Sequence, residues 1–372
     1  MQELGEVLTV LTSDTGDEGA WHPMKATHTL NEVTATPDIV VLAGGVGAAR
    51  FLRALHLARP HADVLAIVNT GDDTVANGLH VSPDIDTVIY TLATAIDPER
   101  GWGLRDETWT AMQSLARYTT VRPRDSRAPN DWFNLGDRDL ATHLYRTARL
   151  REGATLEQVT TEIARAWNVP YRVIPMSNQP VETRVTLAAS SMASDGHHYA
   201  NDETVSFQEY FVRLRHGVPV SNVAFVGADT ATPLGIHELS SATSVVIAPS
   251  NPIVSIGPLR ALRGVDSTLR ERRESVVAIS PIIGGSALKG PADRMLRELG
   301  HESSALGVAH LYAPICGTLV IDTVDAALRP AIEALGMRCI VTDTIMKSPE
   351  VARTLADTVV GAATTPATSA PR

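Results

Sequence analysis

The chain has little cysteine, no long apolar run and no surplus of basic charge. Its two cysteines, Cys316 and Cys339, lack the spacing of a metal site and are too few for a disulfide framework. They read as buried apolar residues of a protein kept in a reducing cytoplasm. No apolar stretch reaches the roughly 18–20 residues that a membrane helix needs, so no membrane partner is expected. Lys and Arg number 32 against 42 Asp and Glu, a formal net charge of −10. That balance excludes a general nucleic-acid binder, which presents a basic face. It suits a protein that holds anionic ligands with the help of a metal. The N-terminus has no basic segment leading into an apolar one, so it is not a secretory signal. There is no internal repeat.

What is present is ordinary globular material: 372 residues, 44% hydrophobic and 20% charged. Residues 1–37 are rich in Thr, Glu, Asp and His without sustained periodicity and read as a disordered extension; residues 362–372 read as a disordered tail. Between them, residues 38–361 form one α/β domain. Asp38–Ala43 reads as a strand, Val46–Ala58 as its following helix and Val64–Asn69 as a second strand. An Asp- and Gly-rich loop follows, then a helix over Ile85–Ala95. Residues 97–170 show helical patterns only, among them a capping box at Thr155-Leu156-Glu157-Gln158, and read as a mostly helical insertion. Tyr171–Ile174 and Val181–Leu187 have strand character, and residues 188–202 a polar loop or hairpin tip. Short buried strands are predicted over Asn222–Val226, Ser244–Ala248, Ser275–Ser280, Gly317–Ile321 and Arg338–Val341. Most are separated by helices, including Asp293–Leu299, Val324–Leu335 and a last one, Ser348–Val360, with a serine cap. Alternating strands and helices predict a doubly wound, mostly parallel sheet.

Gly44-Gly45-Val46-Gly47 follows the first strand and opens a helix, an arrangement that offers backbone N–H groups to a phosphate. It is half of a dinucleotide fingerprint. Arg50 occupies the last glycine position, and Asn69 stands where a ribose-binding carboxylate would end the second strand. No Gly-Lys-Ser/Thr follows, so it is not a Walker A loop. A tight turn without a ligand is the plain alternative. Asp72, Asp73, Asp84 and Asp86 lie within fifteen positions. Carboxylates are natural ligands of Mg²⁺, while turn chemistry and helix capping by Asp84 are the competing reading. Pro249-Ser250-Asn251-Pro252 through Ser255-Ile256 sets small polar groups between prolines before a helix. Lys289 sits among glycines after another strand. Each is either an anion contact or an ordinary loop. Asn134-Leu135-Gly136-Asp137 follows Trp132 and Phe133, which can stack on a planar heterocycle or fill a core. His80 and His143 stand isolated and read as structural or exposed.

Taken in order, Leu42–Arg50, Asn69–Asp73, His80–Thr87, Asn134–Asp137 and Pro249–Pro252 with Ser255-Ile256 resemble the 2-phospho-L-lactate transferase family of coenzyme F420 biosynthesis. The resemblance runs from about Asp38 to about Val360. The Ala- and Arg-rich composition is similar to the actinobacterial branch, in which the transferred group is phosphoenolpyruvyl. One departure is Ala48, where the family commonly has a further glycine.

The resemblance implies a Rossmann-like core, a cytoplasmic homodimer and a Mg²⁺-dependent reaction. The donor would be enolpyruvyl- or lactyl-diphosphoguanosine. The acceptor would be the deazaflavin Fo, whose ribityl hydroxyl takes the group as GMP leaves, giving dehydro-F420-0 or F420-0. On this reading Gly44, Gly45, Gly47, Ala48, Asn69, Thr70, Asp72, Ser250, Asn251, Ser255 and Lys289 bind the donor. Asn134 and Asp137 contact the acceptor, with Trp132 or Phe133 near its ring. Asp84, Asp73 and Asp86 are the metal candidates, and Asp73 and Asp84 the catalytic ones. The rival keeps the fold: a related cell-shape family of regulators that bind nucleotide sugars or dinucleotides. An ordinary NAD-dependent oxidoreductase is weakened by Arg50 and by the missing ribose carboxylate.

Overall fold

Strands whose residues are apolar throughout bury both faces, and a parallel sheet covered on both sides is their usual setting. Ile39–Ala43 (β1), Val64–Val68 (β2), Ser244–Ile247 (β4) and Val276–Ile279 (β5) are buried along their whole length. In the computed structural model, which describes residues 36–123, 126, 132–194 and 196–364, they form the centre of a seven-stranded sheet. Arg172–Pro175 (β3), Thr318–Asp322 (β6) and Arg338–Thr342 (β7) complete it. Its spatial order is β3-β2-β1-β4-β5-β6-β7, and every neighbouring pair is parallel. This is the Rossmann strand order with one strand added.

Alternation along β1 divides the core. Ile39, Val41 and Ala43 point to one face, with Phe51 and Leu52 of the helix Gly45–Ala58 (α1), Ile85 and Ile89 of Pro83–Leu92 (α2), and Leu355 of the final helix. Val40 and Leu42 point to the other, with Leu259, Val308 and Tyr312. Cys316 and Cys339 are free and buried in this second core.

Local signals set the helix ends. The capping box at Thr155 is formed and starts Leu156–Ala166. The Val351 N–H donates to Ser348 Oγ at 3.3 Å, opening Pro349–Thr364. Residues 97–170 hold three α-helices, Thr110–Leu115, Asp139–Arg151 (α3) and Leu156–Ala166 (α4), and among their described residues no strand of the main sheet.

Two expectations are corrected. Asn222–Val226 is not a buried strand of the main sheet. It belongs to Val220–Val226, which pairs antiparallel with Glu182–Leu187 in a separate three-stranded sheet with Thr204–Ser206. Its residues are mostly open to water, as its Ser and Asn allow. The loop after β2 contains a hairpin, Thr74–Ala76 against Leu79–Val81. Asn77 (φ 54°) and Gly78 (φ 78°) are both left-handed, which is what a two-residue hairpin turn requires. The readings of residues 1–37 and 362–372 fall largely on 1–35 and 365–372, outside the described residues.

Candidate active site

The sheet order reverses between β1 and β4, and ligands of such sheets bind outside the strand ends at that point. A cleft of about 750 Å³ lies there. Gly44, Gly45, Val46 and Gly47 line it as the start of α1. Gly45 is left-handed at φ 69°. A Cβ on Gly47 would lie 2.0 Å from the Pro249 carbonyl oxygen, and one on Gly44 would lie 2.8 Å from Ser255 Cβ and 2.9 Å from Asp84 Oδ2. Glycine is thus what lets α1 begin against both the loop after β4 and a carboxylate. The helix has no side-chain cap and no acidic residue in its first turn. Free N–H groups at such an end attract anions. Ala48 is fully buried behind the turn and does not reach the cleft.

Asn69, at the end of β2, organises the carboxylates. Its Nδ2 donates to Asp84 Oδ2 at 2.9 Å and to Asp72 Oδ1 at 3.2 Å, while its Oδ1 accepts the Gly71 N–H at 2.9 Å. Its amide is engaged inside the protein at both ends, so it positions other groups, and it does not line the cleft. Thr70 is a buried turn residue, its carbonyl accepting the Asp73 N–H. Asp72 and Asp84 line the cleft. Burial raises Asp72 well above the ordinary carboxylate range, reinforced by the charges of Asp84 and Asp73. Burial, with Asp73 adding to it, lifts Asp84 to about 7 against the pull of the Asn69 amide and the Gly45 N–H. Asp84 lies in the first turn of α2, and its carboxylate accepts the Gly45 N–H at the glycine turn of α1.

Asp73 stands behind this pair. Its Oδ2 accepts Ser82 Oγ at 2.7 Å and contacts His80 Nε2 at 3.1 Å, while Oδ1 is buried without a partner. Burial raises it too, against those two neighbours. Asp86 departs from its assignment as a metal candidate: both of its oxygens are taken by the Arg146 guanidinium, one at 3.1 Å. His143 is not isolated. It is buried between Asp139 (3.3 Å) and Asp86 (3.8 Å), on the wall of the cleft.

The donors at this site suit a hard divalent cation. Among the described residues no three His, Cys, Asp or Glu side chains converge into a ready cage. Asp72 and Asp84, held together by one amide, offer two carboxylates, and Mg²⁺ commonly takes one or two and completes its shell with water and substrate phosphates. Beside them, Asp73 Oδ1 is buried without a hydrogen-bond partner.

Ser250, Asn251 and Ser255 line the cleft across from α1. Ser250 Oγ is buried with no partner. Asn251 shapes the loop: its Oδ1 accepts the Ile253 N–H at 2.9 Å. Lys289 also lines the cleft, with Nζ tied to the carbonyls of Arg100 (3.1 Å) and Glu99 (3.3 Å). Asn134 and Phe133 line it, whereas Trp132 packs under Arg213. Asp137 does not reach it. Its carboxylate accepts Thr108 Oγ1 at 2.6 Å and the N–H groups of Thr110 and Ala111, which together hold it down at about 2.

Several lining residues carried no signal in the sequence. Gln208, buried, donates to the Asp72 carbonyl at 3.0 Å. Trp102 and Phe211 line the cleft and are partly exposed. Phe207 and Phe211 stack at 5.4 Å.

Comparison with known proteins gives a consistent result. The pattern of the family described as 2-phospho-L-lactate transferase CofD matches residues 39–350. A phosphoenolpyruvate transferase of Streptomyces griseus is 43% identical over 304 residues, 81% of this chain and 90% of that protein. One of Mycobacterium tuberculosis is 42% identical over 299 residues, 76% of this chain and 86% of that protein. A solved structure of a UPF0052-family protein from Bacillus halodurans shares the fold at 15% identity and a TM-score of 0.53, over 88% of this chain and 99% of that one.

Proposed function

The chain belongs to the 2-phospho-L-lactate transferase CofD family, and we propose that its cleft joins a phosphoenolpyruvyl group to the terminal ribityl hydroxyl of Fo. The protein is a transferase of coenzyme F420 biosynthesis, of the phosphoenolpyruvate type carried by its relatives. The hydroxyl oxygen forms a bond to the phosphorus bearing the three-carbon acid, and its proton passes to one of the carboxylates of the site. The bond from that phosphorus to the bridging oxygen breaks, and GMP leaves with the electron pair.

Phosphoryl transfer asks a protein chiefly for positioning and charge neutralisation. The N–H groups at the start of α1 and the unpartnered Ser250 hydroxyl receive the donor diphosphate. Asp72 and Asp84 would hold Mg²⁺, with Asp73 behind them, and a cation held there would supply positive charge beside the donor diphosphate. Phe133, Trp102 and Phe211 offer apolar faces to the deazaflavin ring, and Asn134 a polar contact. From the family resemblance the enzyme acts as a cytoplasmic homodimer; among the described residues no helix is long and apolar enough to cross a membrane.

The observation that carries this reading is the meeting of the α1 glycine turn with the Asn69-bridged Asp72 and Asp84 at one cleft, within a chain that matches the family over most of its length. It favours transfer over the regulatory rival. The test is turnover of purified protein with Mg²⁺, Fo and enolpyruvyl-diphosphoguanosine made in situ, read by mass spectrometry. Phosphoenolpyruvyl-Fo and GMP, both abolished by EDTA, are the expected products. Neither product formation nor Fo binding would return the regulator to first place.

A further inference from the structure

We propose that Arg50 recognises the carboxylate of the three-carbon acid on the donor. The inference rests on the transfer reading above and assigns a residue to a part of the substrate that nothing in that reading holds.

A guanosine-diphosphate-linked acid brings two kinds of anion into the cleft. The phosphates have the helix N–H groups, a hydroxyl and a cation. The carboxylate enters a wall that already carries Asp72, Asp84, Asp86 and Asp139. A carboxylate brought among like charges needs a cationic partner of its own.

Among the described residues, four cationic or potentially cationic side chains line the cleft: Arg50, Arg100, His143 and Lys289. Three are committed. Arg100 pairs with Asp97 at 2.9 Å, donates to the Leu104 carbonyl at 2.9 Å and lies over Trp102 and Trp109. Lys289 binds two carbonyls of the loop that carries Arg100. His143 is enclosed by Asp139 and Asp86. Arg50 has no hydrogen-bond, ion-pair or ring partner among the described residues and is exposed to the cleft.

Its position supports the role. Arg50 lies three residues beyond Gly47 on α1, and residues so spaced share a helix face. The guanidinium therefore projects from the face whose first turn packs against the Pro249 loop. In a dinucleotide fingerprint this position is glycine for close packing. Here it is a long cation kept in the open. A guanidinium matches a carboxylate with two parallel N–H donors, a geometry lysine cannot reproduce.

The test compares two ligands that differ by the acid. Donor KM with Fo and Mg²⁺, and GDP affinity by calorimetry, are measured for wild type, Arg50→Gln and Arg50→Lys. Loss of a charge-assisted contact predicts a donor KM raised about tenfold or more in Arg50→Gln. GDP, which lacks the acid, should bind within about threefold of wild type, which also shows that the variant is folded. Arg50→Lys should fall between the two. An unchanged donor KM overturns the proposal. So does a GDP affinity that falls in step with the donor, because Arg50 would then serve the diphosphate. Wild-type protein that turns over no donor would sink the transfer reading itself, a separate failure visible before any variant is made.

Discussion

The Asn69 amide lies 2.9 Å from the Asp84 carboxylate and ties the end of β2 to the first turn of α2 across fifteen residues of sequence. The same nitrogen reaches Asp72 at 3.2 Å. One neutral donor thus holds two buried carboxylates that otherwise repel. Replacing it by alanine leaves both without that donor while the glycine turn stays intact. A residue that orients metal ligands typically carries about 10–100-fold in metal affinity or activity. Asn69→Ala should raise the Mg²⁺ concentration for half-maximal turnover by that order, with Fo binding little changed. Fluorescence of bound Fo and a Mg²⁺ titration of the rate read the two separately, and an unshifted Mg²⁺ requirement would remove Asn69 from this role.

Asp84 makes the metal requirement depend on pH. Its carboxyl is raised by burial, and then by Asp73, from the ordinary 3.8 to about 7. The folded state therefore holds this proton more tightly than the unfolded chain. The stability it contributes is fully present below 3.8 and is lost as pH rises through about 7. A cation must displace that proton, so Mg²⁺ binding strengthens as pH rises. Below about 7 the half-saturating Mg²⁺ should grow roughly tenfold per pH unit. Thermal unfolding with and without Mg²⁺ at pH 6 and pH 8 checks the sign: the gain from Mg²⁺ should be larger at pH 8. An equal gain at both would place the ion elsewhere.

How much of this was visible in the chain follows from the range of each interaction. β1, β2 and β5 are apolar at consecutive positions, as is β4 after Ser244, so a doubly covered parallel sheet was legible from local pattern. The glycine turn and the Asp84 segment were legible for the same reason, since their spacing is short. The hairpin at Asn77-Gly78 was also local, and an Asn-Gly pair between strand-like residues was a sufficient signal for it. The pairing of Asp86 was not legible because its partner, Arg146, lies sixty residues away on α3. Nothing near Asp86 in sequence distinguishes a carboxylate paired with arginine from one awaiting a metal. Gln208 reaches Asp72 across 136 residues, a separation that no local pattern reports.

The two turn glycines should fail differently. Gly45 is left-handed, but a Cβ there meets nothing nearer than Asp84 Oδ1 at 3.6 Å. Gly45→Ala therefore costs mainly backbone strain, about 1–2 kcal/mol. A Cβ on Gly47 would penetrate the Pro249 carbonyl oxygen at 2.0 Å, and a backbone atom cannot swing aside. Gly47→Ala must move α1 away from the loop after β4, at about 3 kcal/mol or more. Thermal midpoints should fall further for Gly47→Ala, and donor KM should rise with them because the N–H groups and Ser250 no longer converge. Equal midpoints for the two variants would mean that α1 is not wedged as described.

The Asp86–Arg146 pair permits a sharper test, because it joins α2 to α3 as a buried ion pair: Arg146 is 0% exposed and Asp86 5%. Removing one partner from such a pair costs about 3–5 kcal/mol, since the other charge is left buried alone. Arg146→Met should show this loss in chemical denaturation. His143, 3.3 Å from the guanidinium, offers Asp86 only a distant substitute at 3.8 Å. The double variant Asp86→Leu with Arg146→Met removes both charges and restores apolar contact between the helices. It should recover most of the stability, because a buried ion pair contributes little net energy over a well-packed apolar one. If Asp86 served as a metal ligand, the double variant would refold but lose its Mg²⁺-dependent turnover by orders of magnitude. With Asp86 confined to Arg146, the recovered protein should retain its Mg²⁺ requirement and a rate within about tenfold of wild type, the residual loss reflecting the shifted wall of the cleft.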